Sequence, residues 1–423
     1  MSSQIQLPPR ILGAIKANNL PTPYYLYDQV GIKQTASSLS MALSNIGFDY
    51  QNYFAVKANP NPHILDILRE EGMGADASSG PELELARMAD MTGEAVMFTA
   101  NNVDPEEYRE AYEQGAIINL DDINQIEVLR SALGSEFPET ISFRYNPGSS
   151  RKAGHNSIIG RPEDSKFGLP EHDLIEAYQL ASKYGAKHFG IHTMLVSNEL
   201  DVAQHIDTAR ILFSKVAELA QAGIGIKFVN LGGGLGVAYH PDQKPIDYKA
   251  LSSGLESVYR EMILDKGLPP LRIMTENGRH ITGPHGYLVT QVRSVKLGYE
   301  GRRFVGVDAT MADLMRPGMY DAYHGIEVLD HEGRRRIVDQ AVVGSLCENN
   351  DYFTGKDTKY RPLPEMKAGD IVVIRDAGAH AHAMGFNYNG KLRAGEYLLE
   401  PDGSIKMIRR PQTREDYFAT LSW

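Results

Sequence analysis

The sequence predicts a parallel (β/α)8 TIM barrel joined to a C-terminal antiparallel β domain, and three observations lead to this prediction. Short apolar runs alternate with longer stretches of helical period between residues 53 and 279, which is typical of repeated βα units. Eight such runs can be counted, and nearly all of them end in polar residues or glycine. Beyond residue 285 the segments become alternating, β-branched and aromatic, as in an antiparallel sheet.

The eight apolar runs supply the predicted barrel strands. In order, they are YFAVKAN (53 to 59), GADASS (74 to 79), AVMFTANN (95 to 102), AIINLDD (116 to 122), ISFRYNPG (141 to 148), HFGIHTM (188 to 194), IKFVNLGGG (226 to 234) and LRIMTENGR (271 to 279). Helical patterns such as PEEYREAYEQ and DTARILFSKVAELAQAG follow them. The strands of a parallel barrel all present their carboxyl ends on one face, where the active sites of this fold lie. We therefore expect the polar residues that end these runs to meet there.

The segments after residue 285 supply the strands of the predicted β domain. They are GYLVTQVRSVKLG, RRFVGVDA, RRRIVDQAVVG, DIVVIRDAG and EYLLEPDGSIKMIRR. The segment PTPYYLYDQ near the start of the chain has the same character, so we expect it to add a strand to this domain. The predicted division is a barrel over residues 35–285 and a β domain built from residues 1–34 and 286–423.

Composition is that of an ordinary globular protein. The 423 residues are 42% hydrophobic, which is ample for two packed domains. The 43 basic and 54 acidic residues give a net charge of −11 without long blocks of one sign, so binding to nucleic acid or anionic membranes has no electrostatic support. The lone Cys347 excludes an internal disulfide framework, and MSSQIQLPPR lacks the apolar core of a signal peptide. We expect a cytoplasmic protein with small-molecule partners and no metal site.

Lys57 ends the first predicted barrel strand and is the first candidate for chemistry. A lysine at this position can simply extend its ammonium into solvent. Burial at the mouth of an apolar barrel would instead favour the neutral amine, which is the form that attacks a carbonyl to make a Schiff base. Such a lysine could hold an aldehyde cofactor, or react directly with a ketose as aldolases do.

Glycine-rich and charged residues follow the last two predicted barrel strands. In NLGGGLGV (230–237), three consecutive glycines would let backbone N–H groups approach an anion. A tight structural turn is the alternative, because the segment lacks the spacing of a dinucleotide fold or a P-loop. Loops after strands seven and eight are nevertheless the usual phosphate site of this barrel. In TENGR (275–279), Arg279 could bind a phosphate or carboxylate, and Glu276 could accept a hydrogen bond from a ring N–H.

Together, these residues match what pyridoxal phosphate requires. The lysine would form the Schiff base, the glycines would bind the phosphate, and a carboxylate would pair with the pyridinium nitrogen. A carboxylate in that position keeps the nitrogen protonated and makes the ring a strong electron sink. The combination therefore favours carbanion-forming reactions at Cα, such as decarboxylation.

The same residues resemble the fold-type III pyridoxal-phosphate decarboxylases, and most closely the diaminopimelate decarboxylases. The resemblance runs from PTPYYLYD to DYFATL and implies an alanine racemase-like fold. It implies that Lys57, in a YAVKAN-like motif, binds the cofactor. The other cofactor contacts that it implies in the barrel are Asp76, Ser78, His192, Gly232, Gly233, Gly234, Glu276, Gly278 and Arg279. Asn277 stands where the family has a proline, which should alter the rigidity of the turn more than the chemistry.

The resemblance extends into the β domain. The family's R-P-x-x-Y element, which grips substrate, corresponds to Arg316 and Tyr320 in LMRPGMYDAYH. Its C-E-x-x-D element corresponds to Cys347, Glu348 and Asp351 in LCENND. In the family these last residues come from the neighbouring subunit, which implies a homodimer with shared active sites. Cys347 would donate a proton to the product carbon and Glu348 would hold the far ammonium of the substrate, although a lone cysteine is more often a small buried hydrophobe.

Two departures from the family lie close to the expected cofactor. The family carries an H-x-H-I-G-S-Q-like segment on strand six, whose second histidine stacks on the cofactor ring. Here the segment is GIHTMLVSN: His192 is present as a catalytic and cofactor candidate, but Met194 occupies the stacking position. Val196 and Ser197 replace the usual Gly-Ser phosphate contact.

The second departure concerns a tyrosine that reaches cofactor and substrate. His380, in DAGAHAHAMGFNYNG, replaces the tyrosine of the family's G-A-Y motif. Tyr388 lies eight residues further on and is a candidate for part of that work at the cofactor and the substrate. A divergent branch of diaminopimelate decarboxylases shows similar ASN-like and GAH-like segments. His324 and His382 lack such a context and are expected to be satisfied structural histidines.

The resemblance implies the decarboxylation of meso-2,6-diaminopimelate to L-lysine and CO2. Arg279 and Arg316 would bind the second carboxylate of that substrate, which ornithine and arginine lack. Three alternatives stay open. The chain could decarboxylate another amino acid, such as ornithine, arginine or carboxynorspermidine; it could bind pyridoxal phosphate without catalysis; or it could be a cofactor-free Schiff-base aldolase, which would leave Glu276 and the β domain without a role.

Overall fold

The chain folds into two compact units. A computed structural model describes residues 7–44, 46–150, 160–329 and 335–422. The barrel unit comprises Lys33–Val237 and Lys244–His280. The β unit comprises Met1–Ile32, Ala238–Gln243 and Ile281–Trp423.

Both units contain β-strands. In chain order, the strands of the described residues are β1 (Tyr24–Asp28), β2 (Asp49–Ala55), β3 (Gly74–Ala77), β4 (Val96–Thr99), β5 (Ile117–Leu120), β6 (Thr140–Arg144), β7 (His188–His192), β8 (Ile226–Asn230), β9 (Arg272–Thr275), β10 (Gly286–Leu297), β11 (Arg303–Val307), β12 (Ile326–Val328), β13 (Ile337–Val343), β14 (Arg361–Pro364), β15 (Ile371–Ile374), β16 (Gly395–Leu399) and β17 (Ile405–Arg409).

Helices connect most of the barrel strands. In chain order, the α-helices of the described residues are α1 (Pro9–Ala17), α2 (Gln29–Ser44), α3 (Pro62–Glu70), α4 (Gly80–Met88), α5 (Pro105–Glu113), α6 (Gln125–Leu133), α7 (Glu171–Tyr184), α8 (Val202–Gln221), α9 (Tyr248–Tyr259), α10 (Arg279–Thr282), α11 (Arg316–Tyr320) and α12 (Arg414–Phe418). One π turn, Arg260–Leu264, continues α9. Short 3-10 turns lie at Val56–Ala58, Gly93–Ala95, Gly148–Ser150, Pro162–Asp164, Gly283–His285, Tyr299–Gly301 and His382–Met384.

The barrel unit is the predicted parallel (β/α)8 barrel. Strands β2 to β9 form a closed barrel in sequence order, and all its pairings are parallel. Each of the eight predicted runs overlaps one strand of the barrel, so the predicted barrel is confirmed. A cluster of apolar side chains from β2, β4, β5, β8 and β9 is buried inside, so the barrel encloses a packed core, as is usual for this fold. This core comprises Tyr53, Met97, Ile117, Phe228 and Met274.

Several barrel helices begin at an acidic or amide side chain that caps the first turn. Asn61 accepts a hydrogen bond from a backbone N–H of α3, and Asp104 does the same for α5. Asp201 and Asp247 cap α8 and α9 in the same way. Each cap satisfies a backbone donor that has no partner within its helix and stabilises the helix by about 1 kcal/mol.

The β unit is built from both ends of the chain, as predicted. Strand β1 lies between β10, to which it is antiparallel, and β16, to which it is parallel. The sheet runs in the order β14-β13-β11-β10-β1-β16-β17, with β15 pairing with β10 and β12. The β11–β13 pair is also parallel, so the sheet is mixed and not antiparallel throughout. No helix in the described parts of the chain is long and apolar enough to span a bilayer.

Candidate active site

The carboxyl ends of neighbouring barrel strands bring Lys57, Asp76 and Glu276 together. Lys57 lies in the 3-10 turn that follows β2, Asp76 is near the end of β3, and Glu276 follows β9. Strand β2 pairs with both β3 and β9. Lys57 is close enough to both carboxyl groups to influence them: its charge opposes the burial that raises the pKa of Asp76, and it contributes with His192 to the lowered pKa of Glu276.

Lys57 is exposed, whereas its neighbours Val56 and Ala58 are buried. Of the two possibilities that the sequence left open for this lysine, the described chain shows the exposed one. Position 278 controls how closely the end of β9 approaches the Lys57 turn. A Cβ on Gly278 would lie 2.7 Å from Ala58 Cβ and 3.0 Å from Ala55 O, so only glycine fits there without a shift.

Glu276 is held by hydrogen bonds in the barrel interior. Asn230 Nδ2 donates to its Oε1 atom over 2.7 Å, and its Oε2 atom lies 3.2 Å from His192 Nε2. His192 Nδ1 lies 3.4 Å from the Nδ2 donor of Asn119. With Nδ1 as the acceptor, His192 carries its proton on Nε2 and donates it toward the carboxylate. The side chains of His192 and Glu276 are only 1% and 7% exposed.

The two buried carboxyl groups differ in protonation. Burial alone would raise the pKa of Glu276, but His192, Lys57 and Arg144 outweigh it and bring the pKa below its ordinary value. Burial raises the pKa of Asp76 well above its ordinary value, Glu276 raises it further, and Lys57 opposes both. No residue in the described ranges gives Asp76 Oδ1 a hydrogen bond. Glu276 is therefore the ionised carboxylate of this site, and Asp76 holds a buried polar atom without a partner.

The glycine-rich loop after β8 leaves no room for side chains. Gly232 and Gly234 have φ values of 69° and 105°, which L-residues rarely adopt. A Cβ on Gly233 would lie 2.5 Å from Glu276 O, one on Gly234 would lie 2.5 Å from Val196 O, and one on Gly232 would meet Thr193 O. The loop therefore presents bare backbone, as the sequence led us to expect for an anion cradle.

Asn277, at the position of the family's proline, ties the glycine loop to β2. Its backbone N–H donates to Asn52 Oδ1 over 2.9 Å, and its own Oδ1 accepts from Leu235 N over 3.1 Å. Asn52 Oδ1 also accepts from Thr275 Oγ1 over 2.8 Å. A proline could make neither of the Asn277 bonds, so this substitution adds contacts that the sequence reading did not anticipate.

Met194 lies against the glycine loop. Gly233 N donates to Met194 Sδ over 3.2 Å. The half-buried thioether, which follows β7, is therefore in contact with the glycine loop. Ser78 follows β3, where its backbone N–H donates to Glu82 Oε2 over 2.8 Å. Arg279 begins α10 and is half-buried.

Sequence reasoning missed a half-buried arginine of this site. Arg144 ends β6, lies 3.6 Å from Asp121 and stacks its guanidinium 4.3 Å from the Phe167 ring centroid. Burial lowers the pKa of Arg144, while Asp121, Glu276 and Asp76 raise it. The available signal was a charged residue inside the apolar run ISFRYNPG; the amides Asn119 and Asn230, within their own runs, were similar signals.

In the β unit, Arg316 is anchored to two uncharged groups. It begins α11 and is 7% exposed. Its guanidinium donates to His324 Nε2 over 2.9 Å and lies 4.5 Å from the Tyr239 ring centroid. Tyr320, at the other end of α11, is 60% exposed.

The loop that carries Cys347 and Glu348 is organised by Asp351. The buried Asp351 carboxylate accepts hydrogen bonds from Met311 N and Leu346 N, over 2.6 and 2.8 Å, and burial raises its pKa. Cys347 is exposed and Glu348 is half-buried. The alternative of a buried core cysteine is therefore wrong.

The loop that carries Cys347 and Glu348 also contacts two other segments that the sequence singled out. Cys347 N donates to Asn389 Oδ1 over 2.6 Å, next to Tyr388, which is 42% exposed. Gly318, within the R-P-x-x-Y element, faces Asn350 O so closely that a Cβ would clash. The structure therefore brings together the R-P-x-x-Y, C-E-x-x-D and Tyr388 segments of this unit.

The remaining histidines differ in their surroundings. His380 is half-buried and has a φ of 52°. His324 is fully buried, and both ring nitrogens are hydrogen-bonded, as expected. Burial lowers the pKa of His382 to about 4; its Nδ1 pairs with Arg393 over 3.0 Å, but no described residue bonds its Nε2, so it is only half satisfied.

A family model matches the barrel region and identifies the chain. The model describes a pyridoxal-dependent decarboxylase, pyridoxal binding domain, and it matches residues 32–283. The chain belongs to this family. It is therefore a pyridoxal-dependent decarboxylase, a carboxy-lyase whose cofactor is pyridoxal 5′-phosphate.

Several relatives of this decarboxylase extend over nearly its whole length. Protein TabA of Pseudomonas amygdali pv. tabaci is 38% identical, over 96% of this chain and 92% of that protein. The diaminopimelate decarboxylase of Methanothermobacter thermautotrophicus is 34% identical, over 95% of this chain and 91% of that protein. The crystal structure of diaminopimelate decarboxylase from M. jannaschii in complex with L-lysine superposes with a TM-score of 0.86 at 28% identity, covering 96% of this chain and 93% of that one.

The barrel site of the decarboxylase fits pyridoxal 5′-phosphate. The glycine loop carries no side chains over residues 232–234, as a backbone cradle for a phosphate requires. The ionised, buried Glu276 is suited to a ring N–H donor. Asp76 Oδ1, which has no partner among the described residues, is a buried polar atom that a cofactor group could satisfy.

Proposed function

We propose that this decarboxylase converts meso-2,6-diaminopimelate to L-lysine and CO2 by decarboxylation at the D-centre. The observation that carries this proposal is the environment of Arg316. Its buried guanidinium lies 2.9 Å from His324 Nε2 and 4.5 Å from the Tyr239 ring centroid, so it is held in place within the β unit. Such an arginine is suited to a carboxylate of the ligand, and diaminopimelate retains a second carboxylate after losing the first.

Names of the relatives support the same substrate. The M. thermautotrophicus relative is named diaminopimelate decarboxylase, and the M. jannaschii diaminopimelate decarboxylase was crystallised with L-lysine. L-Lysine is the product that the proposed reaction releases. Ornithine and arginine carry no second carboxylate and would leave Arg316 without a ligand group to bind.

Each residue of the barrel site has a role in this proposal. Lys57 binds the cofactor covalently, and its exposed amine is accessible for that bond. Glu276, kept ionised by His192, accepts a hydrogen bond from the ring N–H of the cofactor. The bound cofactor supplies a ring that accepts the electron pair left behind by CO2. The remaining proposed contacts of the cofactor in the barrel are Asp76, Ser78, Gly232, Gly233, Gly234, Gly278 and Arg279. Two further proposed contacts, His380 and Tyr388, belong to the β unit.

Residues of the β unit, together with Arg279 of the barrel unit, handle the substrate in this proposal. Arg316, Tyr320 and Arg279 bind the second carboxylate, with Tyr388 as a further contact. Glu348 accepts a hydrogen bond from the far ammonium. Cys347, whose thiol is exposed, delivers a proton to the substrate carbon that loses CO2.

We also infer that the decarboxylase works as a homodimer. Cys347 and Glu348 would serve the site of the partner subunit, so that neither subunit alone would be active. In this arrangement residues 35–285 bind the cofactor, and residues 1–34 and 286–423 supply substrate and interface contacts. A cytoplasmic location stays a prediction from the sequence.

The proposal is tested by a substrate panel. Purified protein with added pyridoxal 5′-phosphate is assayed for CO2 and amine release from meso-diaminopimelate, L-ornithine, L-arginine and carboxynorspermidine. We expect turnover of diaminopimelate alone, and none in a Lys57→Ala variant. Turnover of another amino acid in place of diaminopimelate would contradict the substrate assignment, and cofactor binding without any turnover would contradict catalysis itself.

A related substrate is the second candidate, and two observations favour it. The relative at 38% identity bears a name that states no substrate, while the M. thermautotrophicus enzyme is 34% identical. Met194 and His380 also replace family residues beside the cofactor. The same panel separates the two candidates, because a changed substrate would leave diaminopimelate unreacted.

A further inference from the structure

The two ends of the glycine loop after β8 are held by amide oxygens. Gly232 N donates to Asn230 Oδ1 over 2.9 Å, and Leu235 N donates to Asn277 Oδ1 over 3.1 Å. An amide oxygen is a good neutral acceptor, so these two backbone donors are well satisfied within the protein. The backbone donors that lie between them belong to Gly233 and Gly234.

Gly233 and Gly234 differ from the ends of the loop in the acceptors that they meet. Gly233 N donates to Met194 Sδ over 3.2 Å, and Gly234 N donates to none of the described residues. Gly233 is buried, whereas Gly234 and Met194 are half-buried. A buried N–H group without an acceptor costs free energy, so Met194 Sδ stabilises the loop by satisfying the Gly233 donor.

A thioether is a weak acceptor compared with the oxygens of a phosphate. Sulfur is neutral and accepts hydrogen bonds poorly, whereas hydrogen bonds to charged oxygens are about twice as strong as neutral ones. Successive backbone N–H groups in a loop of this kind form a concave site for anions. The Gly233 donor therefore gains by exchanging Met194 Sδ for a phosphate oxygen, whereas the donors of Gly232 and Leu235 would give up an amide oxygen.

The packing around Met194 favours such an exchange by rotation of its side chain. Thr193 N donates to Asn230 O over 3.1 Å, and Glu276 N donates to Gly232 O over 2.8 Å, so both segments in contact are tied to neighbouring strands. A Cβ on Gly232 would lie 3.0 Å from Met194 Sδ, so the thioether reaches the loop because no side chain is there. The Met194 side chain has three rotatable bonds, and rotation about them can withdraw the sulfur from the loop.

We propose that Met194 is a positioning residue that sets the affinity of the glycine loop for the phosphate of the cofactor. Its Sδ atom satisfies the Gly233 N–H donor in the cofactor-free enzyme and releases that donor when the phosphate is bound. This proposal rests on the proposed function, in which the glycine loop binds this phosphate. A better acceptor at position 194 then competes with the phosphate, and a side chain without an acceptor does not.

Two substitutions of Met194 should move the phosphate affinity in opposite directions, whereas a merely structural role would weaken binding in both. Leucine has a similar volume but no acceptor, so Met194→Leu leaves the Gly233 donor unsatisfied in the cofactor-free enzyme and should strengthen phosphate binding. Glutamine has a similar length and carries an amide oxygen, which is a stronger acceptor than a thioether, so Met194→Gln should weaken it. Met88→Leu and Met88→Gln are the matched controls, because Met88 of α4 is 59% exposed.

The readout is the equilibrium binding of two ligands to the cofactor-free enzyme, followed by absorbance. Pyridoxal 5′-phosphate carries the phosphate, and pyridoxal is the same aldehyde without it. The ratio of their dissociation constants is the phosphate preference, which reports how strongly the enzyme recognises the phosphate. We expect this preference to rise by about threefold or more in Met194→Leu and to fall by about threefold or more in Met194→Gln, with both Met88 variants at the wild-type value.

A third variant separates this proposal from the one on which it rests. Gly233→Ala obstructs the loop itself and should lower the phosphate preference; if it does not, the glycine loop does not hold the phosphate, and the role of Met194 is wrong as well. If Gly233→Ala lowers the preference but the two Met194 variants shift it in the same direction or leave it unchanged, the role of Met194 is wrong and that of the loop stands. Each Met194 variant is also decisive alone: a folded Met194→Leu that does not gain phosphate preference, or a folded Met194→Gln that does not lose it, overturns the proposal.

Discussion

The Nε2 atom of His192 and the Oε2 atom of Glu276 lie 3.2 Å apart in the interior of the barrel unit. Asn230 donates to the other carboxylate oxygen over 2.7 Å. Both oxygens of a buried carboxylate thus receive hydrogen bonds, which favours its ionised form. Besides His192, the charges of Lys57 and Arg144 lower the pKa of Glu276 against the effect of its burial, so residues from several barrel strands together keep this carboxylate ionised.

Glu276→Gln should reduce turnover while leaving the fold intact. An amide cannot keep the cofactor ring nitrogen protonated, so we expect kcat to fall by about 100-fold or more. Steady-state kinetics and the absorption spectrum of bound cofactor measure this effect. Glu218→Gln makes the same chemical change on the exposed face of α8 and should leave kcat and the spectrum unchanged. A Glu276→Gln enzyme with wild-type kcat would refute the assigned role.

Asp76→Asn should stabilise the cofactor-free protein at neutral pH. The folded-state pKa of Asp76 lies above its unfolded value, mainly because of burial. Between these two values the folded chain binds more protons than the unfolded chain, so the free energy of unfolding falls as pH rises. Asparagine does not titrate and so removes this decrease. We expect the free energy of unfolding at pH 7 to rise by on the order of 1 kcal/mol or more. Urea unfolding at several pH values tests this, and equal pH slopes for both proteins would speak against it.

Asn277→Pro should destabilise the protein although the family has proline at this position. The substitution removes the donor to Asn52 and the acceptor for Leu235 N, and each lost bond costs about 1 kcal/mol. A proline stabilises a compatible loop by only about 0.4–1 kcal/mol, so the two lost hydrogen bonds should outweigh this gain. Asn277→Ala keeps the backbone donor, so its melting temperature should lie between those of wild type and Asn277→Pro. Equal stability of Asn277→Pro and wild type would exclude this account.

Gly233→Ala should weaken cofactor binding. The new Cβ would lie 2.5 Å from Glu276 O, so the loop or the end of β9 must shift, at a cost of about 1–3 kcal/mol. Titration with pyridoxal 5′-phosphate, followed by absorbance, measures the affinity. Gly225→Ala is the matched control, because nothing lies within 4 Å of a Cβ there. Similar affinities of the two variants would mean that the glycine loop does not hold the phosphate.

Periodicity sufficed to predict the eight barrel strands and the added strand β1, because each signal lies within a few consecutive residues. It could not predict the contacts of Asn52, which depend on the register that places Asn52 opposite Thr275. These partners are more than 200 residues apart in sequence. Nor could periodicity decide whether Lys57 is exposed or buried, because an apolar strand before a lysine does not determine what covers the turn that carries it.

The contacts that the sequence did not predict share a physical cause. Arg144 and Asp121 meet across β6 and the end of β5, and Met194 meets Gly233 across two neighbouring loops. Such pairs are selected by three-dimensional packing between separate segments. The residues that the sequence did single out, such as Gly232 and Glu276, carry a local signal: a glycine run or a charge directly after an apolar strand.

The position of β1 constrains the order in which the two units can mature during synthesis. Strands β2 to β9 are complete once Thr275 has left the ribosome, so the barrel can close early. Strand β1 is made before any of them, yet its partners are β10 and β16. With translation at roughly 5–20 residues per second, Tyr24–Asp28 waits many seconds for Gly395–Leu399. During that interval the edge of β1 that pairs with β16 lacks its partner, so the β unit can be completed only near the end of synthesis.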